Sequence, residues 1–378
     1  MPKKTPRSEG RPEIPAVTEA SIAPPGGSTS KAPSAPELDD VEYGPAAVEA
    51  VLARSQDLLP HRAALAQAST ALELANQLVD DGDRRDYRWR SLIARSAAGL
   101  ATGAVEGALL DLIYAKAELR NMSPPEVQAR FARTHDLFTE AHWALGNVRP
   151  ALVSAHLAVL VRRLGHDPLT AARGALRLAV LRYASRCELL SIPPLCTVAA
   201  DALGTSQNED DRRRRRAGAC LRVLAACDCF APSPALEPSI RDLDALGRDV
   251  PLGSSDHADL LHARGIGHGA LADAEAALDD LHLAFEIHLD CGQDDRAALD
   301  AQDLLRVGSG GDPGSAEGLA RSLRQRLPNR PTPPRSVLDL VSDPGDPEHL
   351  REVRERWILT APPFVEILGG DPSLGPAR

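Results

Sequence analysis

Aromatic residues are scarce. Phe, Tyr and Trp make up 3% of the 378 residues and methionine occurs twice. Leu, Ala and Val must therefore fill any core, a supply that suits closely packed helices better than a sheet. No apolar run reaches the ~18 residues of a membrane span, and the opening MPKKTPRSEGRPEIPAV has charge without a following apolar stretch of signal length. These absences predict a soluble, cytoplasmic chain with no membrane partner. Basic charge is in deficit too, 43 Lys and Arg against 53 Asp and Glu for a net charge of -10, so no nucleic-acid partner is expected. The six cysteines, Cys187, Cys196, Cys220, Cys227, Cys229 and Cys291, sit in apolar, helix-like stretches and read as reduced thiols. Cys220, Cys227 and Cys229 lack a second Cys or His pair at structural-zinc spacing. No His-Glu-x-x-His, nucleophile elbow, kinase signature or paired-carboxylate motif occurs. The expectation is no catalytic residue, no metal and no cofactor.

What is present is a repeat. Ala108-Leu109-x-x-Leu112-x-x-Ala115 returns as Ala151-Leu152-x-x-Ala155-x-x-Ala158 and as Ala277-Leu278-x-x-Leu281-x-x-Ala284, with Ala64-Leu65-x-x-Ala68-x-x-Ala71 as a fainter copy. Small residues in a helical period let two helices approach closely, so each copy marks a helix in a stacked hairpin. Breaks fall at Gly82-Asp83, Asn121, Gly165, Gly204, Gly247 and Gly292, spaced by 39, 44, 39, 43 and 45 residues. Gly and Asn accept the left-handed conformation that ends a helix, which supports the same unit independently. A turn inside the unit is visible at Gly103 to Ala108, Gly146 to Ala151 and Ser191 to Leu195, with Pro150 and Pro194 placed for the first turn of the second helix. The unit near 211–246 fits poorly because of Pro232, Pro234 and Pro238, so an irregular stack is expected there.

Residues 1–44, rich in Pro, Ser, Gly and Ala, read as a disordered leader. The repeat array is assigned to 45–310 and a capping helix, with Leu319, Leu323 and Leu327 at i+4 spacing, to 311–330. Residues 331–378 form a proline-rich linker and an apolar tail that contains Trp357, Ile358, Leu359, Phe364, Ile367 and Leu368. Such a segment either straps the last hydrophobic face of the array or docks on a partner. The fold class expected is all-α, a right-handed α-solenoid of about five to six helical hairpins.

A glycine, an alanine five places on and another seven beyond (Gly103, Ala108, Ala115; Gly146, Ala151, Ala158) resembles the second-helix signature of tetratricopeptide repeats, over roughly residues 50 to 305. The period is longer than the usual ~34 residues, the first-helix Trp and Tyr are mostly absent and the closing Pro is missing or displaced, so the resemblance is to long-helix variants. It implies that first helices line a groove. Eighteen places before Ala108, Ala151 and Leu195 stand Arg90, Arg133 and Arg177, early in those first helices, and Arg222 continues the spacing. By resemblance they form a basic ladder for a carboxylate or phosphate, since arginine offers a rigid fork of donors. The alternative is that carboxylates of adjacent helices neutralise them. Asp259 holds the same place in the 277 unit, so the ladder does not run the whole length.

The run Arg212 to Arg216 follows Glu209-Asp210-Asp211 and reads as a solvated helix opening. His262, His268, His282 and His288 are scattered through one unit, where Asp279, His282 and Glu286 share a helix face, and are read as structural. Gly265-Ile266-Gly267-His268-Gly269 lacks the strand and lysine of a nucleotide cradle and reads as a loose interhelical turn. The function expected is a non-catalytic scaffold or regulatory adaptor that binds a peptide or acidic protein segment. A ligand-responsive regulator and, on the histidines alone, a helical-repeat enzyme are the alternatives. The Ala, Arg, Asp and Pro bias suggests a bacterial genome of high GC content.

Overall fold

In the computed structural model, residues 44–122, 124–165, 167–229 and 236–309, with 321 and 323, are described. The chain divides into Met1–Glu42 and Tyr43–Arg378, and every described residue belongs to the second unit. The leader up to residue 43, the linker and the tail from Trp357 to Leu368 lie outside the described residues, as does most of the 311–330 segment.

Thirteen α-helices and no strand occur among the described residues. They are α1 (Pro45–Asp57), α2 (Arg62–Gln77), α3 (Asp81–Ala101), α4 (Val105–Glu118), α5 (Pro124–Ala144), α6 (Val148–Leu164), α7 (Pro168–Ala184), α8 (Ile192–Leu203), α9 (Glu209–Asp228), α10 (Leu236–Gly247), α11 (Ser255–Ala270), α12 (Ala274–Asp290) and α13 (Asp294–Ser309). Six successive pairs run from α1/α2 to α11/α12, and α13 opens a seventh. Each helix packs on the next, and first helices of neighbouring pairs also meet, as α1 does α3 and α9 does α11. That two-way contact makes the chain an all-α solenoid built from helical hairpins.

The alanine pattern is the packing surface of the second helices. Ala64, Ala68 and Ala71 of α2, Ala108, Leu112 and Ala115 of α4, Ala151, Ala155 and Ala158 of α6, and Ala277, Leu281 and Ala284 of α12 are all buried. Burial of apolar surface, at roughly 25 cal/mol per Å², drives the stacking, and the small side chains set how closely the helices approach. Gly99 shows the limit: a Cβ there would lie 3.3 Å from both the Ala108 Cβ and the Ala104 carbonyl oxygen.

Helix starts follow local chemistry. Asp80, Asp167, Asn208, Ser254 and Asp273 cap α3, α7, α9, α11 and α12 by accepting from backbone amides in the first turn. The break expected at Gly82-Asp83 is displaced to Leu78–Asp80, because the Asp80 cap draws Gly82 into the first turn of α3. Gly103 and Gly146 turn the chain between paired helices at φ +80° and +71°.

Gly265 to Gly269 is not an interhelical turn. It lies within α11, where absent side chains let other helices approach: a Cβ at Gly265 would lie 2.7 Å from Leu281 Cγ, and one at Gly267 would lie 2.9 Å from Ile240. In the unit expected to be irregular, α10 has 12 residues against 20 in α9, and residues 230–235 lie outside the described residues. Among the described residues one large core runs from Ala155 on α6 to Leu305 on α13 and includes Leu323, while smaller clusters serve α1–α3, α3–α5 and α11–α12. Between them α5 buries polar residues, Thr134, His135, Asp136 and Thr139.

Candidate binding cleft between α6, α7 and α8

The four arginines singled out by spacing are split by the fold. Arg90 and Arg177 fall in the middle of α3 and α7 rather than early in them, because those helices begin nine residues before each arginine. Arg90 reaches back to Glu49 on α1, its Nη2 donating to Oε2 at 2.7 Å. Arg177 donates to Glu140 Oε1 on α5 at 2.9 Å and lies 3.7 Å from Asp136. Arg222 pairs with Asp242 on α10. Arg133, midway along α5, is exposed and has no ion pair among the described residues.

Neighbouring first helices are stapled by one such pair after another. Glu49–Arg90 joins α1 to α3, Asp86–Arg130 joins α3 to α5, and Glu140–Arg177 joins α5 to α7. Arg173–Asp211 then joins α7 to α9, Arg216–Asp256 joins α9 to α11, and Asp259–Arg296 joins α11 to α13. Asp259 thus occupies the arginine position with the opposite sign and takes its partner from α13. Hydrogen bonds from Arg173 outweigh burial and hold the Asp211 carboxyl down at about 2. Asp211 is fully buried and Arg216 bridges two helices, so this part of the arginine run is structural, and only Arg212 and Arg213 face solvent. The more exposed of these pairs, such as Glu49–Arg90, give ~0–1 kcal/mol each, and the buried ones recover the desolvation of their charges only through close pairing; their main effect is to fix helix register while apolar burial supplies the stability.

A cavity of about 460 Å³ opens where α6 ends and α7 begins. Pro168, Ala171, Ala172 and Ala175 of α7 form its floor, Val198 and Ala202 of α8 one wall, and Arg162 and Arg163 of α6 the other. Short alanine side chains leave the volume between the two second helices unfilled. Arg162 is committed: its guanidinium donates to both oxygens of Asp136, one at 3.0 Å, and lies across Gly174, where a Cβ would come within 3.0 Å of it. Asp167 is committed too, accepting from the Thr170 amide at 3.1 Å and from its hydroxyl, and these bonds lower its pKa. Arg163 is exposed and has no ion pair among the described residues. Among the described residues the cleft therefore offers an apolar floor and one guanidinium without an ion pair, a combination suited to an apolar side chain beside a carboxylate.

The histidines of the α11–α12 unit do not act as one group. His262 and His288 converge on Asp300 of α13, with His262 Nδ1 2.5 Å from Oδ1 and His288 Nδ1 2.6 Å from Oδ2. His288 Nε2 lies 3.2 Å from Asp259, which accepts from Arg296 at 3.0 Å. All five side chains are buried. Burial opposes charge on His288, but the Asp300 carboxylate and its hydrogen bonds overcome it and hold the imidazole up at about 9. No cluster of His, Cys, Asp and Glu fit to hold a metal occurs among the described residues. The cysteines are free thiols; Cys196 and Cys220 are buried, with Cys196 pushed up to about 12 by burial. Cys187, Cys229 and Cys291 fall just past helix ends rather than inside helices. Among the described residues no helix is long and apolar enough to cross a membrane.

Spacing alone missed Arg163, Arg130, Arg173 and the Asp259–Asp300–Arg296 group, because each acquires its role from a neighbouring helix. One signal was present: Arg163 stands twelve places after Ala151, as Arg120 does after Ala108.

No family model matches the chain, and neither does any curated protein. Among solved structures, a Rap protein complexed with competence and sporulation factor is similar at a TM-score of 0.45 and 12% identity, covering 83% of this chain and 90% of that one. The helical-repeat architecture stands on the packing described above.

Proposed function

We propose that the chain is a tetratricopeptide-like, non-catalytic interaction scaffold or regulatory adaptor of a bacterial cytoplasm, which binds a peptide or acidic protein segment. The observation that carries this reading is the α6–α7–α8 cleft, in which Arg163, with no ion pair among the described residues, borders an apolar floor inside a stapled array. A rigid array presents such a cleft at little cost in ordering, so binding energy is not spent on forming the site. Arg133 is a second cation on the first-helix layer with no ion pair among the described residues, whereas Arg90 and Arg177 hold that layer together and Arg222 ties α9 to α10.

Panning a displayed library of random peptides on the full-length protein tests it. Enriched sequences are expected to pair Asp or Glu with Leu, Ile or Val, and Arg163→Glu is expected to abolish the enrichment. Enrichment that ignores acidic residues, or that survives Arg163→Glu unchanged, would refute the cleft as the binding site.

A further inference from the structure

The repeat supplies its own control for the outward face of each second helix. Counted from the first spine alanine (Ala64, Ala108, Ala151, Ala277), the positions two, six, nine and thirteen places on face away from the hairpin core. In α2 the last two are Glu73 and Gln77, and in α12 the first and last two are Asp279, Glu286 and Asp290, with Leu283 between them as a single exposed leucine, a largely solvated pattern. In α4 and α6 the same face is apolar. Leu110 and Tyr114 on α4, with Val153, Leu160 and Leu164 on α6, are between 41% and 67% exposed, and Ile113, five places after Ala108, adds a sixth exposed apolar side chain beside them. Single exposed leucines need no explanation, but six large apolar side chains on the outer faces of two consecutive second helices form a patch of the kind that marks an interface.

The charge beside the patch selects the occupant. Arg120 and Arg163 stand at the same repeat position at the ends of α4 and α6, and both are exposed, as are Lys116 and Arg149. Against these four cations the two helices expose one carboxylate, Glu106. The chain as a whole carries a net charge of -10, so composition does not explain a basic rim.

We infer that the outer face of α4 and α6 docks an acidic amphipathic helix of a partner protein. Its apolar residues, at i, i+4 and i+7, lie along Leu110, Tyr114, Val153 and Leu160, and its carboxylates meet Arg120 and Arg163. This deepens the scaffold reading and rests on it, because Arg163 borders both the cleft and the patch.

The test uses two labelled synthetic helices of identical Leu spacing, one with Glu and one with Lys at the polar positions, titrated into the full-length protein by fluorescence anisotropy. The Glu helix is expected to bind, with affinity falling as salt is added, and the Lys helix is not. Leu110→Ser with Leu160→Ser, two exposed sites that leave circular dichroism unchanged, is expected to weaken binding at least tenfold. Equal binding by wild type and this double variant overturns the patch. If Arg163→Glu alone then abolishes binding, the cleft survives and the patch does not; if neither variant matters, both readings fall. Concentration-dependent dimers in sedimentation that the double variant dissolves would make a second copy the occupant and overturn the acidic-helix assignment.

Discussion

His288 Nδ1 and Asp300 Oδ2 meet at 2.6 Å between α12 and α13, with both side chains at 1% exposure or less. A buried ion pair of this kind costs desolvation and recovers it through Coulomb attraction and hydrogen bonds, so its contribution depends on pH.

His288 titrates near 6.5 when unfolded and is raised to about 9 when folded. Its stabilisation is therefore complete below pH 6.5 and is lost as pH rises through 9, an effect on the order of 3 kcal/mol by linkage. Asp300 is shifted the other way, below its ordinary 3.8. Its contribution is present above pH 3.8 and is lost as pH falls through the lowered value. Urea midpoints are expected to decline from pH 6.5 to 9, and His288→Gln is expected to lower stability at neutral pH and to flatten that decline. An unchanged alkaline limb in the variant would contradict the assignment.

Ala272 has φ +62° at the place, five residues before Ala277, where Gly103 and Gly146 precede Ala108 and Ala151. A Cβ in the left-handed region costs ~1–2 kcal/mol. After the greater chain entropy of glycine is subtracted, Ala272→Gly is expected to stabilise by about 0.5–1 kcal/mol, and Gly146→Ala to destabilise. Thermal melts measure both, and a lower Tm for Ala272→Gly would refute the strain.

Gly265 and Gly107 are both helical glycines in different surroundings. A Cβ at Gly265 would lie 2.7 Å from Leu281 Cγ and 3.1 Å from the Ala277 carbonyl oxygen, whereas one at Gly107 meets nothing within 4 Å. Gly265→Ala is expected to cost ~1–3 kcal/mol by overpacking. Gly107→Ala is expected to gain up to ~1 kcal/mol from helix propensity. Denaturant titration of the two variants should move in opposite directions.

Arg177 and Arg133 occupy matching repeat positions in different surroundings. Removing Arg177 leaves Glu140 without its cation and Asp136 with only Arg162, whereas Arg133 has no ion pair among the described residues to lose. Arg177→Ala is expected to destabilise by ~1–3 kcal/mol, the cost of leaving a partly buried charge under-compensated, and Arg133→Ala by less than ~0.5 kcal/mol. If the two cost the same in urea, the α5–α7 staple is not contributing.

The local grammar of the chain was legible before any coordinates. Alanines at the spine positions marked where helices touch, and Gly103 and Gly146 marked where they turn. Gly265 to Gly269 was misread, because a glycine that allows a neighbouring helix to approach looks, in one dimension, like a glycine that allows a turn. The arginine series was visible as a period, but a period says nothing about whether a carboxylate 37 to 41 residues away lies opposite, as Glu49 does for Arg90 and Glu140 for Arg177.

Sequence by itself determined the helical hairpin, its repeat length and the small-residue surfaces, because these depend on residues within one helix or one turn. Tertiary structure decided which charges are spent and which are available. It paired Asp259 with Arg296, gathered His262 and His288 around Asp300, and left Arg163 at the edge of an alanine-floored cleft. Those outcomes depend on the angle and register at which one hairpin stacks on the next, and that geometry is set by the summed packing of many side chains rather than by any motif.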